Sequence, residues 1–229
     1  MVNNQADRSR QRAHEDYVKG IYQLAGNAPV RAVDLARYLR VSRPSVTKLR
    51  RSLESAGLVQ TAKGRTGRIA LTSMGTDLAV RIVRRHRLIE TFLHQTLKVP
   101  LERVHADAER IEHTISDDIA GRLCKFLGNP PADPHGHPIP SPAIKPAAKS
   151  TTCLADAKAG DVVVVTTLDD RDEAAVKYLS GHSILPGMRA LIERNARGII
   201  RLRVGRSSLR ITKAAAQRVW CTPAQGVSR

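Results

Sequence analysis

The chain has 229 residues, with 38 Lys and Arg against 21 Asp and Glu, a formal charge of +17. Hydrophobic residues make up 41%, enough for packed cores, which excludes wholesale disorder. The longest aliphatic run, Val162 to Val165, is far short of the ~20 residues of a membrane span, and the polar start lacks the apolar stretch of a secretory signal. Three scattered cysteines, Cys124, Cys153 and Cys221, form no CxxC pair, so neither a disulfide framework nor a cysteine zinc site is indicated. A soluble, cytoplasmic, basic protein with a polyanion partner and no membrane role is expected.

Taken in chain order, residues 8–25 predict a helix with Tyr17, Ile21 and Leu24 on one stripe. Gly26-Asn27 stops it. Arg31 to Leu39 predicts a short second helix, and Arg40-Val41-Ser42 a turn. Ser42 suits the N-cap of a third helix, and Pro44 sits in its first turn, where a missing N–H costs little. That helix turns Val46, Leu49 and Leu53 inward and ends at Gly57. Two short strands follow, Leu58 to Thr61 and Arg68 to Leu71, joined by a basic turn. Three helices and a basic hairpin are the layout of a winged helix-turn-helix.

Ser73 to about Leu97 predicts a long helix, Pro100 to about His113 another, and Ser116 caps a third that reaches Leu127. Residues 128–150 hold seven prolines and predict a linker. Strands are expected at 161–167, 188–193, 199–204 and 208–212, with a helix over 172–179. The fold class is mainly α with a small β domain.

The first 75 residues carry 14 Lys and Arg against 5 Asp and Glu. In a helix-turn-helix the start of the second helix faces the major groove. Ser42, Arg43, Pro44, Ser45, Thr47 and Lys48 occupy that start, with Arg50 and Arg51 further along and Lys63, Arg65 and Arg68 in the wing. Hydroxyls and Lys48 can bond base edges or phosphates, Pro44 and the Thr47 methyl can meet a thymine methyl, and the later arginines suit phosphate.

Residues 102–118 run against this trend, with six acids and two bases. Glu109, Glu112 and His113 stand at i, i+3 and i+4, one face of a helix. His105 lies one turn earlier, and His86 and Glu90 form another i, i+4 pair. One such pair alone would be solvated surface acid. Two on consecutive helices leave solvated acids and a bound cation as equal readings. Asp133-Pro134-His135-Gly136-His137 is a third cluster, readable as a polar turn or as metal ligands.

At these residues the chain resembles the diphtheria toxin repressor family of metal-dependent transcriptional regulators, in its three-domain form. The resemblance runs through Asp16 to Tyr22, Ser42 to Thr47, Arg85 to Glu90, Val104 to Glu109, Glu112-His113 and Pro138-Ile139-Pro140. It implies a winged helix over 1–75, a helical dimerisation and metal domain over 76–128, a Pro-rich linker over 129–154 and an SH3-like β-barrel over 155–229. It also implies a double-stranded DNA operator, a homodimer, and no enzymatic activity or small-molecule substrate.

By position, the primary metal site would use Asp16, His86, Glu109, Glu112 and His113. Iron-type members carry Met and Cys where this chain has Asp16 and Glu109. Hard oxygen donors suit Mn²⁺, so the resemblance points to the manganese-responsive branch, with Fe²⁺ as the alternative metal. The two-domain manganese sensors have Glu where Lys19 stands, and a protonated lysine cannot ligate, which puts their paired-metal site in doubt here. An ancillary site would use Glu90, Asp133, His135 and Asp172, with His105 as an alternative member and His86 able to serve either site.

Two rival classes differ in their demands. A metallohydrolase would need an HExxH-like spacing, a nucleophile or an oxyanion hole, and the sequence offers none of these. A metal-independent winged-helix regulator would explain the charge but not the ligand spacings. Glu109→Ala is expected to abolish metal-dependent DNA binding while leaving the dimer intact. Gel shifts with and without Mn²⁺, beside size-exclusion chromatography, check this, and an unchanged metal dependence would remove Glu109 from the site.

Overall fold

The computed structural model describes residues 4–25, 28–62, 67–141 and 151–224. The chain divides into two compact units. One contains residues 1–85 and 112–117, the other 86–111 and 118–229.

The first unit opens with α1 (Asn4–Ala25), then β1 (Val30–Arg31), α2 (Ala32–Leu39), α3 (Arg43–Ser55), β2 (Val59–Thr61) and β3 (Arg68–Leu71). The strands pair antiparallel in the order β1-β3-β2. Val18, Ile21, Leu35, Val46, Leu53 and Ile69 are fully buried in one core. The α2–α3 turn is built locally. Arg40 takes the left-handed conformation at φ 55 and caps α2 through its N–H, and the Ser42 side chain accepts from the Ser45 amide to start α3. β1 is two residues long, too short for periodicity to reveal.

Helix α4 (Ser73–Gln95) begins against this hairpin. The Thr72 hydroxyl accepts the Gly75 amide at 3.1 Å and donates to the Gly57 carbonyl at 2.6 Å. Gly75 is required here, since an added Cβ would lie 1.9 Å from the Leu58 carbonyl oxygen.

The second unit takes the rest of α4, then α5 (Leu101–Ile111), most of α6 (Asp117–Phe126) and the β domain. That domain contains β4 (Thr152–Cys153), β5 (Val162–Leu168), β6 (Arg189–Ala196), β7 (Ile199–Val204), β8 (Ser207–Thr212) and β9 (Val219–Pro223), with α7 (Glu173–Gly181) and α8 (Lys213–Ala216). It forms one antiparallel sheet in the order β4-β9-β5-β6-β7-β8, an SH3-like domain. Alternating inward residues, Val163 and Val165 of β5 and Ile200 and Leu202 of β7, fill its core with Leu179, Ile192 and Val219. β4 and β9 were absent from the expected strands, and β9 pairs with both β4 and β5, joining β4 to the rest of the sheet.

The stretch expected as a linker has more structure than its prolines suggest. Up to Ser141 it is described, with Asp133, His135 and Ile139 buried and a bridge between Ala132 and Pro138. Leu168 donates its amide to the His135 carbonyl at 2.9 Å. Gly136, at φ +91, presses on the Thr166 carbonyl so closely that a Cβ would come within 1.9 Å. Thr166 sits where the β5–β9 register shifts, so a strand irregularity receives the loop.

Gly75→Ala is expected to destabilise the first unit by ~1–3 kcal/mol, the usual range for overpacking. Thermal unfolding beside the wild type checks it, and an unchanged midpoint would mean that α4 can lift off Leu58 without cost.

Candidate metal centres and DNA-facing helix

The first metal centre lies within the first unit. α1 supplies Glu15, Asp16 and Lys19, and the turn after α5 supplies Glu112 and His113. α5 ends at Ile111, so Glu112 and His113 leave a turn rather than the helix face predicted from i, i+3, i+4 spacing. The His113 ring is the hub. Its Nε2 is 3.0 Å from Asp16 Oδ1 and 3.3 Å from Glu112 Oε1, and its Nδ1 is 2.7 Å from Glu15 Oε2. Ligand atoms of Asp16, Glu112 and His113 all lie within 4.8 Å of one another.

Burial opposes charge on His113, but hydrogen bonds to Asp16 and Glu15 outweigh it and push its pKa up to about 9. Burial likewise raises Glu15, but hydrogen bonds from His113 and Gln11 together with the His113 and Arg85 charges more than reverse it, so Glu15 titrates below the usual range. Glu15 was not among the expected site residues. It orients the ring through Nδ1 and leaves Nε2 toward Asp16 and Glu112, as carboxylates do behind ligating histidines. Its only sequence signal is its place beside Asp16.

Lys19 bonds both Glu112 oxygens, at 2.9 and 2.8 Å, and both residues are buried. With Lys19 counted, one divalent ion in place of the His113 Nε2 proton would make the three carboxylates neutral. The residues therefore fit a single divalent cation. The other two expected primary ligands, His86 and Glu109, belong to the second unit. Glu109 is exposed on α5, with Oε1 3.9 Å from His105 Nε2.

The second centre lies in the second unit. His86 Nε2 is 3.0 Å from Glu90 Oε1 and 3.1 Å from His105 Nδ1, and His105 Nδ1 is 3.2 Å from the same Glu90 oxygen. Asp170 Oδ2 stands 3.6 Å from His105 Nδ1. Burial would raise the Glu90 pKa, but the His86 charge and the His105 hydrogen bond hold it well below the carboxylate range. The Asp133–His137 loop borders this group, with His135 Nδ1 3.8 Å from Glu90 Oε1.

Asp170, not Asp172, reaches this centre. Asp172 caps α7, accepting the Ala175 amide at 3.0 Å, and pairs with Arg218 at 3.5 Å. Asp169 is also held by Arg218, at 2.7 Å. Three closely spaced aspartates after β5 thus have three fates, which composition alone cannot separate. His137 was within a recognised cluster but outside the expected ligand set. The carboxylates of Asp170 and Asp133, each 3.4 Å away, overcome its burial and push its pKa up to about 9.

On α3, Arg43, Pro44, Ser45, Thr47, Lys48 and Arg51 are exposed, as is Ser42 before it, while Val46 and Leu53 are buried. Arg50 was expected at phosphate. Its guanidinium instead meets Glu54 Oε1 at 2.9 Å and the Thr61 hydroxyl at 2.7 Å, tying α3 to β2. Lys63 and Arg65 lie outside the described residues.

Comparison with known proteins covers both centres and this helix. Residues 11–66 match the family description "Iron dependent repressor, N-terminal DNA binding domain", residues 72–141 "Iron dependent repressor, metal binding and dimerisation domain", and residues 152–223 "FeoA domain". The iron-dependent repressor IdeR of Mycobacterium leprae is 33% identical over 198 residues, covering 80% of this chain and 85% of that protein. The diphtheria toxin repressor of Corynebacterium diphtheriae is 37% identical over 128 residues, 55% of each chain. A manganese-dependent transcriptional repressor solved with manganese superposes with TM-score 0.82 at 29% identity, covering 92% of this chain and all of the other. ScaR with bound Zn²⁺ gives 0.74 at 29%, covering 92% and 99%. The chain belongs to the iron-dependent repressor family, the metal-dependent transcriptional repressors that include the diphtheria toxin repressor.

Proposed function

We propose that this repressor responds to Mn²⁺ and controls manganese homeostasis, binding a double-stranded DNA operator as a cytoplasmic homodimer. The observation that carries the metal assignment is the donor set of the first centre. It offers carboxylates and one imidazole, and such oxygen-rich sites suit Mn²⁺. Fe²⁺ is the second reading, favoured by the 33% identity to an iron-dependent repressor. No helix among the described residues is long and apolar enough to cross a membrane. The homodimer draws support from Leu97, Ile119 and Phe126, large apolar side chains left exposed in the helical part of the second unit. The functional modules we propose are a winged helix over 1–75, a dimerisation and metal domain over 76–128, a linker over 129–154 and an SH3-like domain over 155–229.

A bound divalent ion would supply positive charge to the first centre. Asp16 on α1 and Glu112 and His113 after α5 would hold it, with Glu15 fixing the imidazole and Lys19 pairing with Glu112. Together these residues would tie α1, the first helix of the DNA-binding part, to the 112–117 segment. Restricting α1 favours the arrangement in which paired recognition helices match major grooves about 34–36 Å apart, and a ligand that prefers one state shifts the population toward it.

DNA affinity titrated against Mn²⁺, Fe²⁺ and Zn²⁺ tests this reading. Mn²⁺ is expected to activate wild-type binding, and Asp16→Ala to lower that response at least ~10-fold, the effect of about 1.4 kcal/mol. Binding that ignores all three metals would sink it, and preferential activation by Fe²⁺ would select the second reading.

The raised His113 pKa also fixes a pH dependence. Unfolded histidine titrates near 6.5 and folded His113 near 9. Its stabilising contribution is therefore complete below about 6.5 and lost as pH rises through 9. Chelator-treated protein should lose thermal stability across that window, and His113→Gln should flatten the loss. His137, raised in the same direction, supplies the remainder. A midpoint that rises over this range would contradict the assignment.

A further inference from the structure

The second unit holds more ligand atoms than one cation position uses. His86, Glu90, His105 and Asp170 make one group, and Asp133, His137 and Asp170 make another. We infer that this chamber takes two divalent cations, the second held by Asp133, His137 and Asp170, with the Asp170 carboxylate shared between the positions. The inference extends the metal reading above and rests on it for the first position only.

The second position is a built site. His137 Nδ1 stands 3.4 Å from Asp133 Oδ2 and 3.4 Å from Asp170 Oδ2. These spacings exceed good hydrogen bonds. They approach the ligand-to-ligand separation of about 3 Å around a six-coordinate ion with bonds of about 2.1 Å. Asp133 Oδ2 and His137 Nδ1 are buried without any hydrogen-bond partner. Such atoms are costly unless something joins them.

The loop presents these atoms rigidly. Asp133 Oδ1 accepts the amides of His135 and His137 at 2.9 and 3.0 Å, so Oδ1 is satisfied and Oδ2 is the atom turned inward. Gly136, between the two histidines, is wedged on the Thr166 carbonyl. His135 is fixed as well. Its Nε2 must donate to the Leu101 carbonyl at 3.1 Å, and its Nδ1, buried without a hydrogen-bond partner, stands 3.8 Å from Glu90 Oε1.

Asp170 Oδ2 is the common atom, 3.6 Å from His105 Nδ1 and 3.4 Å from His137 Nδ1. Carboxylates bridge paired metals in this way. Glu90, Asp133 and Asp170, with Glu109 at the rim beside His105, balance the charge of two divalent ions. Arg87 is the additional charge. Its Nε is 3.7 Å from Asp133 Oδ2, and its Nη1 donates to the Pro138 carbonyl. Carboxylates and imidazole suit Mn²⁺ or Fe²⁺ over soft thiophilic ions. The His137 side chain is 24% exposed, which gives an ion access from solvent.

The full chain, stripped by chelator and reloaded with Mn²⁺, tests this by metal analysis after gel filtration and by electron paramagnetic resonance. Wild type is expected to bind one more ion per chain than His137→Ala and to show a spin-coupled signal that His137→Ala lacks. His137→Asp, which restores a ligand, should recover both, and thermal unfolding confirms that each variant folds. Asp16→Ala should remove one ion and leave the coupled signal, so failure at the first centre is distinguishable. Equal metal content in wild type and folded His137→Ala, or no coupled signal at any loading, would overturn the second position.

Discussion

A carboxylate taken out of water must meet positive charge, and the organisation of this protein follows from how that demand is met. Glu112 is fully buried and is met by Lys19. Glu15 is buried and is met by His113. Removing one partner of such a pair leaves an uncompensated charge, which costs far more than the pair itself contributes. The four residues therefore fix the rotation of α1. Its Tyr17, Val18 and Ile21 face the core because Glu15, Asp16 and Lys19 are committed to the 112–113 turn. Position and charge are thus one problem, and the DNA-binding part shares its first helix with a cation site.

The same demand appears in the second unit in a more concentrated form. Glu90 and His135 have no exposed surface, and Asp133 is buried. Orphaned polar atoms of Glu90, Asp133, His135 and His137 face one another there. Folding tolerates this because the backbone around them is firmly held. Leu168 bonds the His135 carbonyl, the Asx turn of Asp133 closes the loop, and Gly136 fits the irregular point of β5. Helices α4 and α5 supply His86, Glu90 and His105, the β domain supplies Asp170, and the proline-rich loop supplies Asp133 and His137.

The recognition helix is simpler. Its start is decided by the left-handed Arg40 and the Ser42 cap, and its exposed face carries Arg43, Lys48 and Arg51. Arg50 is occupied within the fold, so the basic surface is narrower than the charge count implies. Phosphate contacts from this face make affinity depend on salt, while hydroxyls at Ser42, Ser45 and Thr47 are already engaged locally and must exchange those bonds to read bases.

Much of this was legible in the sequence. Apolar periodicity marked α1, α3, α4 and the strands β3 and β7, since each must bury one stripe or one face. The Ser42 cap and Pro44 set the start of α3, because capping is decided within one turn. Spacing grouped Glu109, Glu112 and His113, Asp16 entered only through the family resemblance, and charge marked the DNA-binding third. What only the tertiary structure decided were the relations between distant segments. Glu15 and Asp16 are neighbours in sequence, yet one orients His113 through Nδ1 and the other faces Nε2. Asp169, Asp170 and Asp172 look equivalent on paper, yet the end of β5 and the cap of α7 send only Asp170 to the histidines. Short elements such as β1 escaped because two residues carry no period. Local chemistry is written in adjacent residues, but which atom meets which across the chain depends on the packing that brings them together.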